Sequence, residues 1–130
     1  FVVYVFVEGQ LLNELLKGAS YSVLRRIFRS VLQQCFQLDQ LGIQKEEMHR
    51  PQKHIILGKH GHVTLIDFER CYRKQNPHNV TQFVEFICRA QPILMQRGFS
   101  FTVAALRHAI RMYASERTEE SFQRLLRLVR

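Results

Sequence analysis

The chain has 130 residues, which is short enough for one domain and long enough to bury a core of its own. Hydrophobic residues make up 46% of it and charged residues 23%, a balance that argues against intrinsic disorder. Because 19 lysines and arginines face 11 aspartates and glutamates, the net charge is +8, which favours an anionic partner such as a nucleotide, nucleic acid or membrane surface.

Membrane and secretory signals are missing from the sequence pattern. The longest apolar run covers residues 1–7 and is far shorter than the roughly 20 residues of a membrane span. No basic segment or small-residue cleavage site marks that run as a signal peptide, and the absence of an initiator Met predicts a fragment or a processed chain. Three cysteines without a CxxC spacing predict free thiols in a reducing compartment, and a cytoplasmic location is expected. The lack of an apolar run of spanning length favours a protein without a membrane partner.

The N-terminal third predicts a strand and two helices. Residues 1–7, FVVYVFV, are β-branched and aromatic and predict a buried strand that ends at Glu8-Gly9. Residues 10–17 predict a short leucine-rich helix. Apolar residues at every third or fourth position from Ser20 to Leu41 predict a long amphipathic helix that ends at Gly42. Asp39 falls on its polar side and is expected to be solvated.

The middle of the chain predicts a loop followed by a β-hairpin. Residues 43–53 are polar and contain Pro51, which favours a loop. The apolar runs at residues 54–57 and 62–66 are separated by Gly58-Lys-His-Gly61, a spacing typical of a hairpin. Asp67 and Phe68 follow the second strand directly.

The C-terminal half predicts helices. Asn79 is expected to cap a helix, and two further helices are predicted over residues 101–113 and 119–129. Pro92 and Gly98 are expected to lie in a non-helical gap between helices. Phe99 and Phe101 are assigned to the core.

Asp67 is the strongest candidate for chemistry. It is one of only two aspartates and stands where an apolar strand opens into a loop. A carboxylate anchored in this way suits Mg²⁺, which takes oxygen ligands together with phosphate oxygens and waters. Taken by itself, the tripeptide Asp67-Phe68-Glu69 favours the alternative that the Asp67 side chain caps a turn of its own backbone.

Three stretches of sequence favour the metal-binding role of Asp67 over the turn-capping one. They are KEEMHRPQKH at 45–54, LIDFER at 65–70 and NVTQF at 79–83. Together with the order of helix, loop and hairpin, they resemble the C-lobe of an atypical protein kinase, of the predicted archaeal-type serine/threonine group related to RIO-like kinases. The resemblance implies an α+β, mainly helical fold with a small β-hairpin. It makes residues 1–130 a single domain, with 1–9 as hinge strand, 10–130 as helical C-lobe-like region and the N-lobe apparently absent.

The resemblance also implies an ATP- and Mg²⁺-dependent serine/threonine kinase-like phosphotransferase acting on a protein substrate. Asp67 would bind Mg²⁺ with His54 assisting, and Glu8 and Gly9 would border the adenine.

The proton-accepting role falls on Glu47, or on Glu46, and Lys53 would contact the transferring phosphate. Pro51 stands where kinases have the catalytic Asp, and Glu69 replaces the usual Gly after Asp-Phe.

No G-x-G-x-x-G loop precedes the hinge, so an N-lobe-bearing partner would have to complete the nucleotide site. These departures leave open a catalytically inactive, pseudokinase-like module that binds a partner protein.

Two other patterns carry alternatives. Arginines on the long helix and the last helices predict either contacts with nucleic-acid phosphates or, more often for such faces, solvated side chains; they are Arg25, Arg26, Arg29, Arg107, Arg111, Arg117, Arg124, Arg127 and Arg130. Four histidines within 14 residues admit a zinc site, though exposed turn histidines are the commoner case; they are His49, His54, His60 and His62. Cys71 lacks a base in the sequence pattern and is read as an ordinary thiol.

Overall fold

The computed structural model describes residues 9–66 and 68–130. Within these ranges the fold is α+β and mainly helical, with six α-helices and five short strands in two antiparallel sheets. The coarse fold class predicted from the sequence is therefore confirmed. The strand predicted over residues 1–7, together with Glu8 and Asp67, lies outside the described residues.

The described chain begins with a strand and two helices: β1 (Gly9–Leu11), α1 (Leu12–Gly18) and α2 (Tyr21–Gln40). The predicted short helix starts two residues late because Gln10 and Leu11 pair with a later strand instead. Helix α2 matches its predicted bounds, and the Ser20 side chain accepts a hydrogen bond from the Val23 backbone N–H at 3.4 Å. Leu41 was expected in the buried stripe but is 68% exposed, because the helix has ended at Gln40.

The predicted hairpin is confirmed and forms the centre of a three-stranded sheet. Strands β3 (Ile55–Gly58) and β4 (Val63–Leu65) pair antiparallel, and β1 pairs with the other edge of β3. The predicted loop over residues 43–53 is only partly a loop. Strand β2 (Ile43–Gln44) pairs with β5 (Tyr72–Arg73), and residues 51–53 form a 3₁₀ turn that begins at the buried Pro51.

Four helices complete the fold: α3 (Asn79–Arg89), α4 (Gln91–Gln96), α5 (Val103–Glu116) and α6 (Glu119–Leu128). The gap predicted around Pro92 is helical, because proline is tolerated in the first turn of a helix. Among the described residues, no helix combines the length and apolar composition needed to cross a membrane.

One hydrophobic core joins the helices to the hairpin. The ring of Phe28 on α2 lies edge-on to that of Phe83 on α3, at 5.8 Å between centroids, and Phe36 stacks on Phe122 of α6 at 4.4 Å. Phe99 and Phe101 are buried as predicted. The hairpin contributes to the same cluster from its inner face, so α2 and the hairpin are held at a fixed distance.

The prediction that Asp39 is solvated is wrong, since only 7% of the residue is exposed. Its carboxylate accepts hydrogen bonds from the Tyr113 hydroxyl at 2.7 Å and from the backbone and side-chain N–H groups of Asn79 at 3.0 and 2.9 Å. Burial raises the pKa of Asp39, and these hydrogen bonds oppose the shift. Asn79 begins α3 rather than capping it, and Asp39 satisfies its N–H from across the core.

Candidate functional site

A polar cavity of about 210 Å³ opens at the base of the hairpin. Its lining is charged or titratable throughout, and consists of Glu46, Glu47, His54, Glu69 and Arg70. The first three come from the loop between β2 and β3, and the last two follow β4. The cavity, called the hairpin cavity below, therefore brings together two of the three segments that carry the kinase-like pattern.

His54 is fixed at the point where the loop becomes a strand. Its backbone N–H donates to the carbonyl of Pro51 at 2.8 Å, which closes the 3₁₀ turn. Its carbonyl accepts from the backbone N–H of Ile66 at 2.9 Å, on the residue directly before Asp67 in the chain. The loop and the end of β4 are thus tied together at His54.

Glu47 faces the imidazole of His54. The distance from its Oε2 to Nε2 of His54 is 3.4 Å, and the Glu47 side chain is half exposed. The backbone of Glu47 has φ of 65°, in the left-handed region that a residue with a Cβ rarely adopts. Such conformations persist where the surroundings fix them, and they concentrate at functional sites.

The other wall of the hairpin cavity is held loosely. Arg70 lies 3.9 Å from Glu46, and both side chains are exposed. An exposed ion pair at this distance stabilises the fold by little. The contact between Arg70 and Glu46 therefore contributes little to holding this wall in place.

Lys53 borders the same two side chains from a second depression of about 360 Å³, which is also lined by Glu47, His54 and Arg50. The structure thus groups four of the predicted site residues, Lys53 with Glu46, Glu47 and His54. Gly9 is not among them. It pairs with Gly58 at the far end of β3, about 13 Å along the strand from His54.

Lys45 directly precedes the cavity-lining Glu46 and is a buried cation that the sequence patterns did not indicate. It is fully buried directly after β2, and its ammonium lies 5.3 Å from the centroid of the Phe68 ring. Its backbone N–H donates to the side-chain oxygen of Asn79 at 2.9 Å. A lysine in a polar stretch is normally solvated, so no periodicity in the sequence marked it. Glu69 and Arg70 were likewise missed as cavity-lining residues.

The metal-binding capacity of the described residues is limited. Glu47 and His54 offer an oxygen and a nitrogen close together, but residues 9–66 and 68–130 contain no group of three His, Cys, Asp or Glu able to hold a metal ion. The four clustered histidines therefore do not assemble a zinc site there. Carboxylate oxygens suit Mg²⁺, and a complete shell would need Asp67 or phosphate oxygens in addition.

Comparisons with known proteins found no matching family model, no matching curated protein and no matching solved structure. The functional assignment therefore depends on the residues and geometry of the hairpin cavity itself.

Proposed function

We propose that this chain is the C-lobe-like part of an ATP- and Mg²⁺-dependent phosphotransferase of the protein-kinase-like class. The observation that carries the proposal is the position of Glu47 and His54, which lie 3.4 Å apart at the base of a hairpin. The second strand of that hairpin leads directly into Asp67. A proton acceptor and a metal-binding carboxylate on adjoining segments are what phosphate transfer to a hydroxyl requires.

Each residue of the proposed site has its own role in phosphate transfer. The Glu47 carboxylate accepts the proton of the attacking hydroxyl, and His54 holds that carboxylate in place. Lys53 attracts the transferring phosphate from the adjoining depression. Asp67 would hold Mg²⁺, which would neutralise charge on the nucleotide phosphates.

The size of the hairpin cavity fits one end of a nucleotide. Its volume of about 210 Å³ is below the roughly 300 Å³ at which small-molecule pockets begin. The hairpin cavity by itself therefore suits a phosphate group and a metal ion, and the rest of the nucleotide would extend beyond it. This division is consistent with the placement of Gly9 away from the cavity.

Titration calorimetry of ATP, with and without Mg²⁺, tests the nucleotide site. Wild-type protein is expected to bind ATP only with Mg²⁺, and Asp67→Ala is expected to lose that binding while its far-UV circular dichroism is unchanged. Glu119→Ala removes one exposed carboxylate on α6 and serves as the control that keeps binding. Equal binding by wild type and Asp67→Ala would remove the assignment.

Transfer of radiolabelled γ-phosphate to a protein substrate tests the chemistry. Glu47→Gln keeps the shape of the side chain but cannot accept a proton, so transfer should be lost while ATP binding persists. Glu46→Gln tests the alternative proton acceptor and should keep transfer; loss of transfer in Glu46→Gln but not in Glu47→Gln would move the proton-accepting role to Glu46.

A catalytically inactive binding module is the second candidate. It is favoured by the buried Pro51, which occupies the place of the kinase aspartate. Nucleotide binding without transfer by the wild type would select this candidate.

A further inference from the structure

A basic groove of about 470 Å³ runs along the N-terminal half of α2. Its lining residues are of polar or amphipathic types and include three arginines and no acidic residue; the members are Tyr21, Ser22, Arg25, Arg26, Arg29, Ser30 and Gln33. We call this surface the α2 groove. It lies at the turn end of the hairpin, because the Arg26 guanidinium packs beside Gly61. The hairpin cavity lies at the other end, so the two sites are separate.

The arginines of the α2 groove differ from two of those on the last helices. Among residues 9–66 and 68–130, no carboxylate lies within 4.0 Å of any of the three groove guanidiniums. By contrast, Arg107 lies 3.4 Å from Glu85, and Arg124 lies 3.2 Å from Glu120. Three positive charges on one face, with no carboxylate of residues 9–66 or 68–130 within 4.0 Å of them, favour the approach of an anion.

The spacing of these charges suits a phosphate backbone. Arg25 and Arg29 are one helical turn apart, about 6 Å along the axis of α2. One nucleic-acid strand in a duplex carries a phosphate about every 3.4 Å of axis, so this length meets two or three phosphates. Guanidinium groups bind phosphate in bidentate fashion, and the neighbouring Ser22, Ser30 and Gln33 are of the types that donate to phosphate oxygens.

The α2 groove lacks the exposed apolar side chains that peptide and membrane partners use. The ring of Tyr21 lies edge-on to Phe99 at 4.8 Å between centroids, so part of its surface is already packed against the fold. None of the exposed large hydrophobic residues of the described chain lines the groove. An interfacial membrane helix would insert such residues between lipids.

We propose that the α2 groove binds the sugar-phosphate backbone of nucleic acid without base preference, through Arg25, Arg26 and Arg29. The proposal is independent of phosphate transfer, since it uses no residue of the hairpin cavity. It gives a role to three of the positive charges that composition alone could not place.

Fluorescence anisotropy with labelled double-stranded oligonucleotides of different base composition, over a series of salt concentrations, tests this proposal. Wild-type protein should bind them with similar affinity, and binding should weaken as salt rises. In the triple variant Arg25→Gln, Arg26→Gln, Arg29→Gln, the slope of log affinity against log salt should be shallower by about 2–3, because each duplex phosphate contributes about 0.9. Affinity at low salt should fall at least about tenfold.

The matched control replaces Arg111, Arg127 and Arg130 by Gln, which removes the same charge from exposed positions elsewhere. It should bind almost as wild type does. An equal loss in both triple variants would overturn the proposal in favour of a general charge effect. Absence of oligonucleotide binding by wild type, or a groove-dependent preference for anionic lipid vesicles, would also overturn it. ATP and Mg²⁺ at saturating concentrations should leave oligonucleotide binding unchanged. That outcome would show that oligonucleotides bind outside the hairpin cavity.

Discussion

Glu47 has both an unfavourable backbone conformation and a side chain in contact with His54. Its φ of 65° is unfavourable for a residue with a Cβ, yet its carboxylate is held 3.4 Å from His54. The turn is closed by the backbone N–H of Arg50, which donates to the Glu47 carbonyl at 2.9 Å. The loop therefore fixes this conformation from both the main chain and the side chain.

Replacing Glu47 by Gly and by Ala separates those two contributions. Both variants lose the contact with His54, but only glycine adopts a positive φ without steric cost. The Glu47→Gly protein should therefore be more stable than Glu47→Ala by about 1 kcal/mol, measured by urea denaturation. Equal stability of the two variants would show that the left-handed backbone at this position costs nothing.

Asp39 makes a second residue-scale prediction, because burial raises its pKa above the ordinary value of 3.8. At pH values between 3.8 and its pKa in the folded protein, the folded state binds more protons at this site than the unfolded state does. Unfolding then releases a proton, so this carboxyl lowers stability as pH rises.

The Asp39→Asn variant isolates the effect. The difference in unfolding free energy, wild type minus variant, should decrease as pH rises from about 3.8, because the other carboxylates cancel in the subtraction. Urea denaturation at a series of pH values measures this difference. A difference that grows with pH would mean that the hydrogen bonds from Tyr113 and Asn79 outweigh burial.

At the scale of elements, the three-stranded sheet depends on a close approach at Gly9. A Cβ placed there would lie 2.3 Å from the carbonyl oxygen of Leu57 on the neighbouring strand. The pairing of β1 with β3 therefore requires glycine at this position.

Gly9→Ala should accordingly destabilise the protein and detach β1 from the hairpin. We expect a loss of about 1–3 kcal/mol in unfolding free energy and faster amide exchange on the β1-facing edge of β3. Gly18→Ala is the control, because no other atom lies within 4 Å of its added Cβ. It should change stability by no more than about 0.5 kcal/mol. Similar effects at both glycines would contradict the close packing of β1.

The same elements show what could be predicted from the sequence. Helix α2 and the hairpin follow from local patterns, namely an apolar residue at every third or fourth position and two apolar runs separated by glycines. Strand β1 does not follow from a local pattern, because its pairing with β3 joins residues more than 40 positions apart. The burial of Asp39 is also non-local, since its partners lie on α3 and α5.

The candidate site was predictable only in part, for the same reason. Glu46, Glu47 and His54 come from one short segment, and the resemblance to kinases marked them. Lys45 and Arg70 were missed because their positions depend on how that loop meets the end of β4. Asp67 and Glu8 lie outside the described residues, so their roles stay predictions.

At the scale of the whole molecule, the hydrophobic cluster extends from α1 through the hairpin to α6. A core of this extent couples the stability of the hairpin cavity to helices far along the chain. Phe122 is a sensitive position, since it is buried and stacks on Phe36 with 5° between the ring planes.

Phe122→Ala should lower the free energy of unfolding by about 3–5 kcal/mol, because it leaves a cavity between α2 and α6. If residues 9–130 unfold as one unit, slowly exchanging amides of β3 should exchange faster by the same factor as those of α6, about a hundredfold or more. Ile93→Ala, at an exposed position of α4, is the control and should alter exchange little. Acceleration confined to α5 and α6 would contradict the single-domain prediction. It would also mean that the hairpin cavity keeps its shape independently of the C-terminal helices.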